Sequence, residues 1–138
     1  MRIHVRATSK SEPILWIVDS EQWPRALMRA ELIERGYDPL GFIRIQDALE
    51  AHRQLMVPEP EAIVLESRGQ EFTKELIAEI AKIQVPTILL GGDLELHDPI
   101  IAAHQWHHTL RRPFSIGQVA GLIHCLVRVP VRQNERIA

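Results

Sequence analysis

The chain has 138 residues, 46% of them apolar and 25% charged, which suits one globular domain with a single core and is too apolar for a disordered chain. A formal charge of −2 gives no long-range field for nucleic acid, so a dedicated DNA or RNA binder is disfavoured. The single cysteine, Cys125, excludes an intramolecular disulfide and a CxxC site, no apolar run approaches the ~18 residues of a membrane span, and Met1 to Lys10 lacks the apolar stretch of a secretory signal; the expectation is a cytoplasmic domain.

Residues 1–12 mix charges with Ser and Thr without periodicity and are expected to form a flexible tail. Ile14 to Val18, preceded by Pro13, is an apolar run of strand length. Glu21 to Arg35 then sets Pro24, Leu27, Met28 and Leu32 on one helical stripe and stops at Gly36. A weak strand fits Pro39 to Ile43, and Asp47 to Met56 carries a second stripe of Ala48, Leu49, His52, Leu55 and Met56. Ala62 to Leu65, after Pro58 and Pro60, is the next apolar run, followed by a stripe of Phe72, Leu76, Ile77, Ile80 and Ile83. Thr87 to Leu90 is a further strand between Pro86 and Gly91-Gly92. A short helix is expected from Asp98 to His104 with Pro99 in its first turn, then a weak strand at His108 to Arg111. Ser115, with Gln118 three residues on, reads as a capping box opening a last helix of Ile116, Val119, Ala120, Ile123, Leu126 and Val127. Residues 129–138 contain Pro130 and end polar, a tail or linker, which leaves 13–128 as the domain. Strands apolar on both sides, alternating with helices, predict a doubly wound α/β domain with five parallel strands and helices on both faces.

In open sheets of this kind ligands sit beyond the carboxyl ends of the strands. Those positions hold Asp19, Ser20 and Glu21; Glu66, Ser67 and Arg68; Gly91, Gly92 and Asp93; and Arg112, Pro113 and Phe114. Acids on two central strands facing a cation on a neighbour form a charge-compensated cluster. The plainer alternative is that Asp19 and Glu66 cap helices or face water.

These residues carry a resemblance. Ile17-Val18-Asp19-Ser20-Glu21 resembles the V-D-D-E strand end of bacterial response-regulator receiver domains, and Pro60-Glu61-Ala62-Ile63-Val64-Leu65-Glu66 resembles their P-D-L-V-L-L-D, whose last Asp accepts a phosphoryl group. Val85 to Gly92 is similar to I-P-V-I-x-L-T-A, Arg112-Pro113-Phe114 to K-P-F, Gly36-Tyr37 to the G-Y after the first helix, and Ala48-Leu49-Glu50 to an A-L-E in the second. The resemblance runs from about Pro13 to Arg128 and implies a flavodoxin-like (βα)5 fold with strand order 2-1-3-4-5 and a cis bond at Arg112-Pro113.

The departures decide the functional reading. The matched pocket is Asp19, Ser20, Glu66, Gly91 and Arg112, where the family has Asp, an acid that binds Mg²⁺, the phosphoacceptor Asp, a switch Thr or Ser, and Lys. Position 109, where the family's aromatic switch lies, is Thr. Ser20 removes a negative ligand, and one added methylene at Glu66 moves its oxygens by ~1.5 Å, a misplacement that can cost ~100-fold. Asp19 and Glu66 remain as a poor pair of metal ligands, so weak or absent Mg²⁺ binding is expected, with no other cofactor, no catalytic residues and no productive phosphorylation. A Glu66–Arg112 ion pair is expected to replace the phospho-aspartate–lysine contact, with a decayed and solvated site as the alternative.

The chain thus resembles a degenerate pseudo-receiver: a phosphorylation-independent regulatory module, not an enzyme, acting through protein–protein contact in two-component-type signal transduction. The resemblance implies a partner protein or a homodimer on the face of the fourth helix, fifth strand and last helix, here Ile100, Ile101, His104, Trp106, His107 and Thr109, with no nucleic acid or membrane bound. Two other readings stay open: an active receiver weakly phosphorylated at an atypical site, and a flavodoxin-like domain binding a small ligand between Gly91-Gly92 and Trp23. Trp23 is expected to cover the pocket mouth. His104 and His108 at i, i+4 offer a zinc pair, but Trp106 and Thr109 suggest that the helix ends between them, and no nearby Cys or carboxylate completes a motif. Cys125 has no activating neighbour in the sequence and reads as a packing or surface residue.

Overall fold

The structure is a computed structural model that describes residues 12–130. Its strands are β1 (Ile14–Val18), β2 (Asp38–Phe42), β3 (Ala62–Glu66), β4 (Thr87–Gly91) and β5 (His108–Arg111). Its helices are α1 (Gln22–Glu34), α2 (Ile45–Arg53), α3 (Lys74–Ile83), α4 (Asp93–Leu96), α5 (Pro99–Ala102) and α6 (Ile116–Leu126). All strand pairs are parallel, in the order β2-β1-β3-β4-β5.

Alternation along each central strand splits the core into two layers. Leu15 and Ile17 of β1, Val64 of β3 and Leu90 of β4 face one side, where they pack with Met28 and Leu32 of α1 and Val119, Ala120 and Ile123 of α6. Trp16, Val18, Ile63, Leu65 and Leu89 face the other, against Ile45, Ala48 and Leu49 of α2, Leu76 and Ile80 of α3, and Ile101 of α5. Each fully buried Leu or Ile contributes about 1.5–3 kcal/mol, which is why runs without polar interruption sit at the centre of the sheet. β2 tolerates Pro39 and Gly41 because it is an edge strand.

Helix ends follow local chemistry. Gly36, at φ +98, turns the chain out of α1; a Cβ there would lie 2.9 Å from Val129, a residue of the expected tail that packs against the core. The Thr73 hydroxyl accepts from the Leu76 amide at 3.1 Å and opens α3. Ser115 and Gln118 form the expected capping box: the Ser115 hydroxyl accepts from Gln118 N–H (3.0 Å), and the Gln118 side chain accepts from Ser115 N–H (2.8 Å). One expectation is corrected. The helix expected at 98–104 is shorter, α5, opened by Asp98, which accepts from Ile100 N–H (2.9 Å), and a further one-turn helix, α4, precedes it because Glu95 folds back to cap Gly92 N–H (2.6 Å). Of the two expected tails, residues 1–11 and 131–138 lie outside the described residues.

Candidate functional site

β1 and β3 are neighbours where the strand order reverses, so their carboxyl ends open one crevice. Asp19 follows β1, and Glu66 is the last residue of β3. Both are buried, Glu66 to 2% exposure. A buried carboxylate needs partners for its charge and lone pairs. Glu66 Oε1 accepts from an Arg112 terminal nitrogen at 2.7 Å, and its Oε2 accepts from Arg68 N–H at 3.0 Å. Arg112 spreads its second terminal nitrogen to Glu95 Oε1 at 3.0 Å, using the guanidinium as a fork. Burial pulls the Arg112 guanidinium towards neutrality, but its hydrogen bond to Glu66 and the charges of Glu66, Glu95 and Asp19 outweigh this and hold its pKa above the ordinary arginine value.

Asp19 is neutralised in parallel. Its Oδ1 accepts from Glu21 N–H at 2.9 Å, so it does serve the entry to α1, and it lies 3.4 Å from an Arg68 terminal nitrogen. Arg68 Nε faces Glu21 at 3.1 Å. Arg25 donates to the Asp19 carbonyl at 2.7 Å. Two acids and two guanidiniums thus share the crevice floor with no net charge.

The other two pocket positions contribute no side-chain chemistry to that floor. Ser20 packs on Gly69 and donates to the Arg68 carbonyl at 3.1 Å. Gly91 is closely invested: a Cβ there would lie 2.5 Å from Ser67 Oγ and 3.0 Å from Leu96. Above the floor a cleft of about 390 Å³ opens, walled by Pro24, Leu27 and Met28 of α1, Leu90, Pro113, Phe114 and Ile116. The Arg112-Pro113 bond is cis, as expected.

The donor set does not fit Mg²⁺, which asks for a near-octahedral shell of free oxygens. Both Glu66 oxygens and Oδ1 of Asp19 are already committed to N–H donors. Arg68 brings a cation to the acid a metal would use, and Ser20 spends its proton on a backbone carbonyl.

The structure corrects two further expectations. Trp23 does not cover the cleft: it is 75% exposed and is not among the residues that line it. The reason is helical phase, since Trp23 lies five residues before the core-facing Met28, well round the helix from it. Ile101 is 5% exposed and belongs to the core beneath α5, so it leaves the expected interaction face. Trp106 is half-buried, with its indole N–H donating to the Ile101 carbonyl (3.0 Å) and its ring edge-on to Phe72 and His104. It packs there and, like Ile100 and His104, stays partly accessible. Ile100, His104, His107 and Thr109 remain accessible in part or whole. His107 Nδ1 accepts from Thr87 N–H at 3.0 Å. His104 and His108 share no helix, since α5 ends at Ala102 and His108 opens β5. No three His, Cys, Asp or Glu side chains converge among the described residues. Cys125 is exposed.

Sequence reasoning found Asp19, Glu66 and Arg112, and missed Arg68 and Glu95 as partners. The signal for Arg68 was its place two residues after Glu66, where a tight turn brings its amide back onto that carboxylate. For Glu95 it was the i+3 relation to Gly92 at a helix start.

No protein-family model matches the chain, and no curated protein matches it. Solved structures do. A response regulator receiver protein from Pseudomonas putida superposes with a TM-score of 0.68 at 19% identity, over 83% of this chain and 97% of that one. The receiver domain of the Francisella response regulator 1452 gives 0.67 at 18%, over 83% and 96%. The receiver domain of NtrX from Brucella abortus gives 0.64 at 19%, over 84% and 99%. The chain has the receiver fold. On that fold, the two acids and the Arg-Pro step lie at the carboxyl ends of β1, β3 and β5, and α1 and α6 share one face of the sheet.

Proposed function

We propose that this receiver-fold domain is a pseudo-receiver: a regulatory module that works without phosphorylation, by binding other proteins in a two-component-type pathway in the cytoplasm. The observation that carries the reading is the Glu66–Arg112 pair. Glu66 stands where the family's motif has its phosphoacceptor, and both of its oxygens are held by N–H donors. A carboxylate so engaged is a poor nucleophile, because attack on phosphorus would strip it of a charge-assisted hydrogen bond in a nearly dry site. The paired guanidinium instead imitates the contact that a phosphorylated pocket would make, and so fixes one conformation. The domain performs no catalysis in this reading. A partner protein would meet it on the β5 side, over Ile100, His104, His107 and Thr109, whose exposed surface is polar and histidine-rich.

The test is incubation with acetyl phosphate and Mg²⁺, read by intact mass, alongside beryllofluoride with Mg²⁺, read by tryptophan fluorescence. No adduct and no spectral change are expected. An adduct that disappears in Glu66→Gln would overturn the reading and restore an active receiver. The apolar-walled cleft gives one observation in favour of the small-ligand alternative. A thermal shift with flavins or nucleotides would support that alternative over the pseudo-receiver.

A further inference from the structure

The outward face of α1 is unusual for a surface helix. Trp23, Ala26, Leu27, Ala30 and Ile33 are all exposed, and their spacing makes one continuous apolar ridge. Three of the helix's four charged residues are drawn off that ridge, leaving Glu34 at its far end: Arg25 donates to the Asp19 carbonyl, Arg29 to the Pro39 carbonyl, and Glu31 pairs with Arg35. Beside it, α6 presents the opposite relief. A Cβ on Gly121 would meet nothing within 4 Å, and one on Gly117 would meet only the Ser115 hydroxyl at 3.7 Å. A ridge and a hollow therefore lie on adjacent helices of the same layer.

We propose that this α1–α6 layer is a self-association face, on which a second copy packs so that the Leu27–Ile33 stretch of the ridge of each copy lies in the Gly117–Gly121 hollow of the other. The shape is self-complementary in the way a two-fold interface requires, since ridge meets hollow twice. Heights agree as well. Leu27, near the middle of α1, lines the same cleft as Ile116 at the start of α6, and Tyr37 just beyond α1 donates to the Val127 carbonyl at the end of α6. A two-fold axis running along the helices keeps those levels. It brings Glu34 of one copy to the level of His124 and Arg128 of the other, a charge-complementary rim around an uncharged centre. The 13-residue α1 is about 20 Å long, and with α6 alongside the face is roughly 20 Å square, about 400 Å² in projection, below the ~800 Å² per partner of a standard interface and in the range of weak, transient contacts. The result is a reversible dimer that dissociates on dilution.

Sedimentation velocity of the full 138-residue chain over a hundredfold concentration range tests this. The wild type should pass from monomer to dimer. Leu27→Arg and Gly121→Gln should each remain monomeric at the highest concentration, with circular dichroism unchanged. The Gly121→Gln melting temperature should not fall, since the added side chain meets open space in the monomer and replaces a helical glycine. Thr109→Arg, on β5, should dimerise like the wild type. Exchanging Glu34→Arg or Arg128→Glu singly should weaken the dimer several-fold, and the double exchange should restore it. A wild type that stays monomeric throughout overturns the assignment and leaves the face to a different protein. So does a dimer that survives both Leu27→Arg and Gly121→Gln, or one broken by Thr109→Arg alone. None of these measurements uses a phosphodonor, so their outcome is independent of the pseudo-receiver reading.

Discussion

Replacing Arg112 with methionine keeps most of the side chain's bulk and removes its charge. The partner left behind is Glu66, 2% exposed, with Oε1 stripped of its 2.7 Å donor. Breaking a fully buried pair costs ~3–5 kcal/mol, and losing a fully exposed one ~0–1 kcal/mol. This pair lies between, since the Arg112 side chain is 31% exposed and Glu66 keeps the Arg68 amide on Oε2. About 2–3 kcal/mol is therefore expected, or a fall of roughly 6–15 °C in Tm for a domain of this size. The double variant Glu66→Gln with Arg112→Met removes the stranded charge and should recover more than half of that loss. A double-mutant cycle by urea denaturation should give a coupling of about 1.5–2 kcal/mol. The penalty of the single variant should change little with salt because the carboxylate lies out of reach of screening ions. Additive single-variant losses, or a loss below ~0.5 kcal/mol for Arg112→Met, would refute the claim that this pair fixes the crevice in one conformation.

Three further outcomes are expected. Gly91→Thr, which returns a hydroxyl to the position the family uses as a switch, should cost about 1–3 kcal/mol in denaturant melts and yield no phosphorylation, because its Cβ collides with Ser67 and Leu96. Ser115→Ala should lose about 1 kcal/mol by opening the capping box of α6, with no effect on the crevice. Burial pushes the Tyr37 phenol's pKa up, against a downward pull from Arg35, so the unfolded chain ionises first as pH rises. The stability that this gives is whole below about pH 10 and declines above it; Tyr37→Phe should lose ~1 kcal/mol at neutral pH with its hydrogen bond to Val127 and show a shallower alkaline decline.

The sequence by itself determined the scaffold. Runs such as Ile14–Val18 and Ala62–Leu65 have no polar residue to turn towards water, so they had to be central parallel strands with helices on both sides. It also placed Asp19, Glu66 and Arg112 together, because strand ends of a doubly wound sheet converge whatever the loops do. Local end chemistry was legible too: Ser115 with Gln118, and Gly36 after Arg35, act through bonds spanning a few residues. Tertiary structure decided which way side chains face and which partners they take. Whether Trp23 covered the cleft or stood in solvent depended on the phase of α1, fixed by Met28 and Leu32 packing on the sheet. Ile101 went inside because a one-turn helix between two caps aims it at the core. Arg68 and Glu95 joined the crevice through a turn and a helix start whose geometry is set by neighbours 49 and 17 residues away in sequence. Hydrophobic patterning is a property of the chain alone, whereas charge pairing across elements depends on distances of a few ångströms that exist only once the sheet has formed.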